Sequence, residues 1–175
     1  MRRLTPADYT RQPWKNGKGE TVELARADRD GALLWRLSMA TVAEDGPFSI
    51  FPGIERNLTV LDGPGFRLVG DGIDLPCLPL SPVAFPGDVP VQAIQTGGQV
   101  SRDFNVMTAR ALPVPQVEVV TDARNVAAAD LTAVFALGAS VVNGQPIGRH
   151  DLILTESACL VAPEGAAVVV RFTLS

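Results

Sequence analysis

Apolar and polar residues alternate with a period of two over much of this chain, and the alternating stretches are short. Residues 20–25, 33–42, 57–61, 99–108 and 116–120 alternate or run apolar between turn signals, which is the pattern of β-strands. The one stretch with a helical composition is residues 125–131, where three alanines are adjacent. The pattern predicts an all-β protein with at most one short helix.

One order of strands and turns occurs twice along the chain. Residues 65–72 (GFRLVGDG) have a counterpart in residues 138–144 (GASVVNG), and each reads as a strand closed by a tight turn. Residues 83–94 have a counterpart in residues 160–172, and Pro113 and Pro115 interrupt the chain between the two copies. The repeat predicts a cupin-like double-stranded β-helix, a bicupin with halves 1–107 and 108–175 in one compact structural unit.

The charge and apolar content of the chain narrow its classes of partner. Its 15 basic and 19 acidic residues give a net charge of −4 without a basic block, whereas nucleic-acid-binding proteins concentrate positive charge. No apolar run approaches the roughly 20 residues of a membrane-spanning helix, and the basic start leads into no signal-peptide core. Cys77 and Cys159 are interpreted as buried thiols rather than a disulfide. We expect a cytoplasmic protein that binds neither nucleic acid nor membrane, and a homodimer is one oligomeric state that the sequence allows.

Few residues of the chain suit metal binding or nucleophilic catalysis. His150 is the single histidine, so the His and Glu cluster with which most cupins hold a metal is missing, and no metal or other cofactor is predicted. Neighbouring side chains point to opposite faces of a strand, so His150 and Asp151 are not read as an acid–base pair, and His150 is interpreted as a solvated turn residue. No Gly-x-Ser-x-Gly elbow occurs, which disfavours nucleophilic hydrolysis.

Polar residues share one face of two predicted strands. Arg36 and Ser38 lie opposite the apolar face of residues 35–39, and Asp103 and Asn105 do the same in residues 102–106. Two interpretations stay open: the solvent side of a half-buried sheet, or the lumen of a barrel lined around a polar ligand. The Gly-rich run 16–21 (NGKGET) is likewise either a flexible turn or a loop whose backbone meets a ligand.

Four sequence blocks resemble the HutD/Ves family and occur in its order. They are residues 13–24 (PWKNGKGETVEL), 35–38 (WRLS), 45–53 (DGPFSIFPG) followed by Arg56, and 102–107 (RDFNVM). The resemblance implies a bicupin fold without a metal site. It also implies a role, in some bacteria, in histidine utilisation, where the protein moderates the pathway by binding an acidic intermediate such as urocanate or formylglutamate.

The residues within these blocks suit an acidic ligand. An arginine can hold a carboxylate through two hydrogen bonds, a tryptophan offers a flat face to an imidazole or acrylate group, and amide and carboxylate side chains bind polar atoms. We expect six residues to converge on one cavity in the N-terminal half: Trp14, Asn16, Arg36, Arg56, Asp103 and Asn105. Asn16 and Arg56 are expected to lie in loops at the mouth of this cavity. Core packing for Trp14, and an ion pair with Glu55 or Asp45 for Arg56, stay as alternatives.

Three functions are compatible with these features. The first is a non-catalytic protein that binds a small acidic metabolite and regulates histidine utilisation. The second is a metal-free isomerase or lyase that acts on a small carboxylate with Asp103 or Glu23 as base. The third is a protein–protein regulator with a vestigial pocket. A single histidine and the lack of a nucleophile with its base favour binding over catalysis.

Overall fold

The computed structural model of the chain describes residues 1–14 and 19–175. All regular structure in these residues is β, which confirms the predicted fold class. In chain order the strands are β1 (Arg2–Leu4), β2 (Thr10–Pro13), β3 (Glu20–Arg29), β4 (Ala32–Val42), β5 (Gly46–Pro47), β6 (Ile54–Asp62), β7 (Phe66–Gly70), β8 (Ile73–Cys77), β9 (Val83–Pro86), β10 (Val91–Ile94), β11 (Ser101–Ala109), β12 (Gln116–Val120), β13 (Arg124–Val126), β14 (Leu131–Ala136), β15 (Ser140–Val142), β16 (Gln145–Ile147), β17 (Leu152–Thr155), β18 (Cys159–Pro163) and β19 (Ala167–Phe172).

The chain divides into two compact units. Unit N comprises Thr10–Ala111, and unit C comprises Met1–Tyr9 together with Leu112–Ser175. The first nine residues belong to unit C because β1 pairs antiparallel with β17. This pairing could not be predicted, because the three residues of β1 are too few to show an alternation.

Unit N is built from two antiparallel sheets that pack on a shared core. The six-stranded sheet has the order β2-β3-β4-β11-β6-β9, and the four-stranded sheet has the order β5-β10-β7-β8. Val42, Leu58 and Val60 from the first sheet pack against Phe66 and Leu68 from the second. This face of the six-stranded sheet is called its inner face below.

Unit C also consists of two antiparallel sheets that pack on a shared core. Its sheets have the orders β1-β17-β14-β19-β12 and β13-β18-β15-β16. The residues buried between them are valine, isoleucine, alanine and Cys159. Small and branched side chains of this kind fill a narrow barrel by themselves.

The strand orders of the two units correspond. Adding eight to each strand number of unit N gives the corresponding strand of unit C. The orders β4-β11-β6-β9 and β5-β10-β7-β8 of unit N thus correspond to β12-β19-β14-β17 and β13-β18-β15-β16 of unit C. This agrees with the predicted match of residues 65–72 with 138–144, because both form the hairpin of corresponding strands. The predicted match of residues 83–94 with 160–172 was wrong by one strand, since β9 and β10 correspond to β17 and β18.

Two local expectations in unit C were wrong. Residues 125–131 form no helix; they begin in β13 and end in β14, because Val126 packs into the core and β13 pairs with β18. His150 lies in a turn as expected but is half-buried rather than solvated. Its ring stacks on Phe135 at a centroid distance of 5.5 Å, and its carbonyl oxygen accepts a 2.6 Å hydrogen bond from the Tyr9 hydroxyl.

Among the described residues no helix has the length and apolarity that crossing a membrane requires.

Candidate functional site

Unit N contains a cavity of about 420 Å³ over the inner face of its six-stranded sheet. This volume lies within the range of about 300–1,000 Å³ for small-molecule sites. Five of the six residues expected at a ligand site line it: Trp14, Arg36, Arg56, Asp103 and Asn105. The sixth, Asn16, lies outside the described residues. The polar faces of β4 and β11 are therefore turned inward rather than toward solvent, and the ligand-binding role of these residues stays a prediction.

Strand register sets the spacing of the two arginines. Met107 on the central strand β11 is paired with Arg36 on β4 and with Arg56 on β6. The Cα atoms of the two arginines therefore lie in one row across three strands, roughly 10 Å apart, and both side chains point to the same face of the sheet. Asn105 and Asp103 follow at two-residue steps along β11 and occupy the next rows of that face.

Arg56 is the most enclosed cation of the cavity. It lies within β6 rather than in a loop, so its predicted placement was wrong, and only 7% of its surface is exposed. Its guanidinium carbon lies 5.4, 5.2 and 5.0 Å from the ring centroids of Phe48, Phe51 and Phe85, which is cation–π distance. Burial lowers the pKa of Arg56 to about 10, and the side chain stays charged at neutral pH.

An amide connects Arg56 to the buried carboxylate of the site. Arg56 Nη2 donates a 3.0 Å hydrogen bond to Asn105 Oδ1, and Arg56 Nη1 donates a 3.3 Å bond to the Ser49 carbonyl oxygen. Asn105 Nδ2 in turn donates to Asp103 Oδ1. The orientation of the Asn105 amide is fixed because its oxygen faces a donor and its nitrogen faces an acceptor.

The two alternative ion-pair partners of Arg56 are engaged elsewhere. Glu55 pairs with Arg110, and Asp45 accepts a hydrogen bond from Thr96.

Asp103 is a carboxyl group with 1% of its surface exposed. Burial raises its pKa to about 7, against the smaller opposing effects of the Arg56 charge and the Asn105 hydrogen bond. Loss of solvation penalises the charged form of a buried acid more than these two groups favour it. Asp103 therefore changes protonation near neutral pH.

The raised pKa of Asp103 predicts an inverted pH dependence of stability. An unfolded aspartate has lost its proton above about pH 4, whereas the folded protein keeps it up to about pH 7. The free energy of unfolding therefore falls as pH rises through this interval. Relative to Asp103→Asn, wild-type protein is expected to lose on the order of 2–4 kcal/mol between pH 4 and pH 8. Urea unfolding of both proteins at the two pH values measures this, and an unchanged difference would contradict the assignment.

Arg36 is the more accessible arginine of the cavity. Its side chain is 13% exposed, and its Nε lies 2.7 Å from Glu23 Oε2 of the neighbouring strand β3, which is itself 18% exposed. The contact is an ion pair without hydrogen-bond geometry at Nε. Arg36 therefore contacts Glu23 and also lines the cavity.

Trp14 forms part of the cavity wall and is half-buried. Its Nε1 donates a 3.0 Å hydrogen bond to Thr21 Oγ1, and its backbone N–H donates to the Gly19 carbonyl oxygen at 2.8 Å. A Cβ atom at Gly19 would lie 3.1 Å from Trp14 Cε3 and Cζ3. Glycine at this position lets the indole lie flat against the backbone, so Trp14 is a wall residue rather than a core residue.

The phenylalanines around Arg56 were not among the expected site residues. Phe48 and Phe51 lie in residues 45–53, one of the blocks that carry the family resemblance, but the residue pattern by itself indicates only turns and apolar side chains there. They are brought onto β6 by backbone hydrogen bonds, from Phe48 N to Val91 O at 2.9 Å and from Phe51 N to Gly87 O at 2.8 Å. The short distance in sequence between these phenylalanines and Arg56 was the one feature from which their contact with Arg56 could have been predicted.

Acidic and metal-ligating side chains are dispersed in the described part of the chain. Within residues 1–14 and 19–175 no group of three or more His, Cys, Asp or Glu is positioned to hold a metal ion. The two thiols, Cys77 and Cys159, are buried and free.

Comparisons with known proteins point to one family. The sequence model of the HutD family matches residues 6–173. A protein of Pseudomonas putida, described as an uncharacterized 21.2 kDa protein in the hutC 3′ region, is 45% identical over 109 residues. The match covers 61% of this chain and 57% of that relative, so it spans little more than half of the relative's length.

Two solved structures match over almost the whole chain. HutD from Pseudomonas fluorescens SBW25, in a formate condition, is 32% identical with a TM-score of 0.88, over 99% of this chain and 98% of that one. The conserved protein of unknown function PA5104 from Pseudomonas aeruginosa PAO1 is 34% identical with a TM-score of 0.83, over 98% of each chain.

Proposed function

Because the chain belongs to the HutD family, we propose that it is a non-catalytic binding protein for a small organic acid and a regulator of histidine utilisation. The observation that carries the proposal is the pair of inward-facing arginines in one row of the sheet. Arginine side chains inside a cavity attract and orient carboxylates. The half-buried Trp14 supplies a flat wall for the rest of a planar ligand.

Urocanate and formylglutamate are the ligands that the proposal favours. Each carries at least one carboxylate and a second polar group, and the cavity combines Arg36 with the carboxyl and amide of Asp103 and Asn105. The cavity volume of about 420 Å³ suits small metabolites of this size. The Pseudomonas putida relative in the hutC 3′ region supports a link to histidine utilisation.

A thermal-shift screen with matched neutral analogues tests the proposal. Urocanate or N-formyl-L-glutamate, at about 100 times its dissociation constant, is expected to raise the melting temperature by roughly 5–10 °C. The methyl esters keep the shape of each acid but lose the charge that an arginine recognises, so they are expected to give little shift. The proposal fails if neither acid stabilises the protein, or if an ester stabilises it as much as its acid.

A metal-free isomerase or lyase is the alternative, and one observation favours it. Asp103 has a pKa of about 7 and lines the same cavity as Arg36, which suits a general base beside an electrostatic stabiliser. Incubation of either acid with the protein in D₂O, followed by NMR, separates the two functions. Turnover or deuterium incorporation that disappears in Asp103→Asn would establish catalysis, whereas a recovered, unlabelled ligand supports binding alone.

A further inference from the structure

Among residues 1–14 and 19–175, the charged side chains that line the cavity are matched by carboxylates, so they offer little surplus positive charge to an anion. Arg36 is paired with Glu23, and Arg56 is linked to Asp103 through the Asn105 amide. We propose that the cavity takes up one proton from solvent when it binds a carboxylate, and that Asp103 is the group that receives the proton. This inference rests on the proposed function, since it concerns the same ligand in the same site.

Electrostatics at short range gives the physical reason. A bound carboxylate and an ionised Asp103 would be two like charges inside one low-dielectric cavity, where their repulsion is much larger than in water. A proton on Asp103 removes the repulsion and leaves the Arg56 charge to stabilise the ligand. Asp103 Oδ1 accepts the Asn105 amide, so the new O–H bond forms at Oδ2.

Burial selects Asp103 rather than Glu23 as the receiving group. Asp103 is 1% exposed, and its connection to Arg56 runs through an intervening amide. The Glu23 side chain is 18% exposed and already lies 2.7 Å from a cation, at Arg36 Nε. Burial raises the pKa of Asp103 to about 7, so protonation of this group is accessible under physiological conditions.

The other groups around Asp103 do not replace it. In the described part of the chain, Arg56 of β6 and Cys77 of β8 interact electrostatically with Asp103, Arg36 of β4 lines the same cavity, and Glu23 of β3 lies beyond Arg36. Burial raises the pKa of Cys77 to about 12, so this thiol stays neutral. The strands β7, β9 and β10 contribute apolar side chains to the surrounding core.

Calorimetric titration of the wild-type protein tests the inference. Urocanate and N-formyl-L-glutamate are titrated between pH 7 and pH 9, where their carboxylates stay ionised and the imidazole of urocanate is largely neutral. The dissociation constant is expected to rise at least tenfold across this range, because the ligand must bring a proton to an Asp103 that is increasingly ionised. At pH 8, titrations in two buffers of different ionisation enthalpy are expected to show uptake approaching one proton per ligand.

Variants assign the proton to its residue. Asp103→Asn keeps the shape of the protonated acid and is expected to abolish the proton uptake and flatten the pH dependence. Glu23→Gln removes a charge next to the same arginine and is expected to keep both. Binding without proton uptake in the wild-type protein, or uptake that persists in Asp103→Asn, overturns the inference and leaves the proposed function standing. Absence of binding by either acid at every pH overturns the proposed function and the inference with it.

Discussion

Replacing Arg56 by alanine is expected to lower the free energy of unfolding at pH 8 by about 3–5 kcal/mol, the usual cost of removing one partner of a buried charged pair. Asp103, ionised at this pH, would lose the positive charge that compensates it. Asn105 and the Ser49 carbonyl group would each lose a hydrogen-bond donor. The space among three phenylalanine rings would also be left without the guanidinium that they contact.

Two comparisons isolate the buried charge as the cause. Arg102→Ala removes an arginine from the same sheet, but this side chain is 46% exposed and pairs with Asp62 at the surface, so a loss below about 1 kcal/mol is expected. The double variant Arg56→Met with Asp103→Asn removes both buried charges and is expected to recover much of the loss. Urea unfolding of the four proteins gives the values. If Arg56→Ala proved as stable as Arg102→Ala, the contacts of Arg56 with the phenylalanine rings, Asn105 and Ser49 would contribute little to the free energy of unfolding.

Replacing Arg36 by methionine is expected to weaken binding of the acidic ligand by about 2–3 kcal/mol, or roughly 30- to 150-fold. Arg36 is the more exposed of the two cavity arginines. Each Nη of Arg56 already donates one hydrogen bond, to Ser49 or to Asn105, and the residue is only 7% exposed, so a carboxylate is expected to meet Arg36. Arg36→Lys is expected to restore part of the affinity, because an ammonium keeps the charge but loses the bidentate geometry.

Arg26 provides a matched control for Arg36. It is the cross-strand partner of Arg36 and approaches the same Glu23 to 3.9 Å, yet its side chain is 45% exposed and pairs with Asp28 at the surface. Arg26→Met is therefore expected to leave the dissociation constant within about twofold of the wild-type value. Calorimetry with urocanate and N-formyl-L-glutamate compares the variants. Equal losses in the Arg26 and Arg36 variants would mean that general charge, and not a contact in the cavity, attracts the ligand.

The alternation of side chains along a strand made part of the cavity predictable. Arg36 with Ser38, and Asp103 with Asn105, had to share a face because strand geometry has a period of two. Which face is internal could not be derived, since a solvated sheet and a barrel lumen both alternate. That choice depends on the second sheet of unit N, which covers the inner face through residues distant in sequence, such as Phe66 and Leu68.

The environment of Arg56 was the least predictable part of the site. The apolar run that marks β6 in the sequence starts after Arg56, so the residue read as part of a loop, whereas β6 begins at Ile54. The enclosing rings come from a segment that is held by backbone hydrogen bonds to Val91 and Gly87. Backbone hydrogen bonds between distant segments leave no pattern in a single sequence.

The sequence repeat predicted the correct fold, but one of its two matches paired strands that do not correspond. The hairpin β7–β8 and its counterpart β15–β16 both carry a glycine turn, which fixed that equivalence. The following strands are short and apolar in both units, so one strand resembles its neighbour as well as its true counterpart. Only the strand order of the sheets distinguishes them.

A crystal structure of the protein with urocanate, or with N-formyl-L-glutamate if the screen selects it, would show where the acid binds and which residues hold it. We expect ligand density in the unit N cavity, with carboxylate oxygens within hydrogen-bond distance of the Arg36 guanidinium and the remainder of the ligand against Trp14. A ligand bound outside this cavity, or a cavity that stays empty at a concentration shown by calorimetry to saturate the protein, would contradict it.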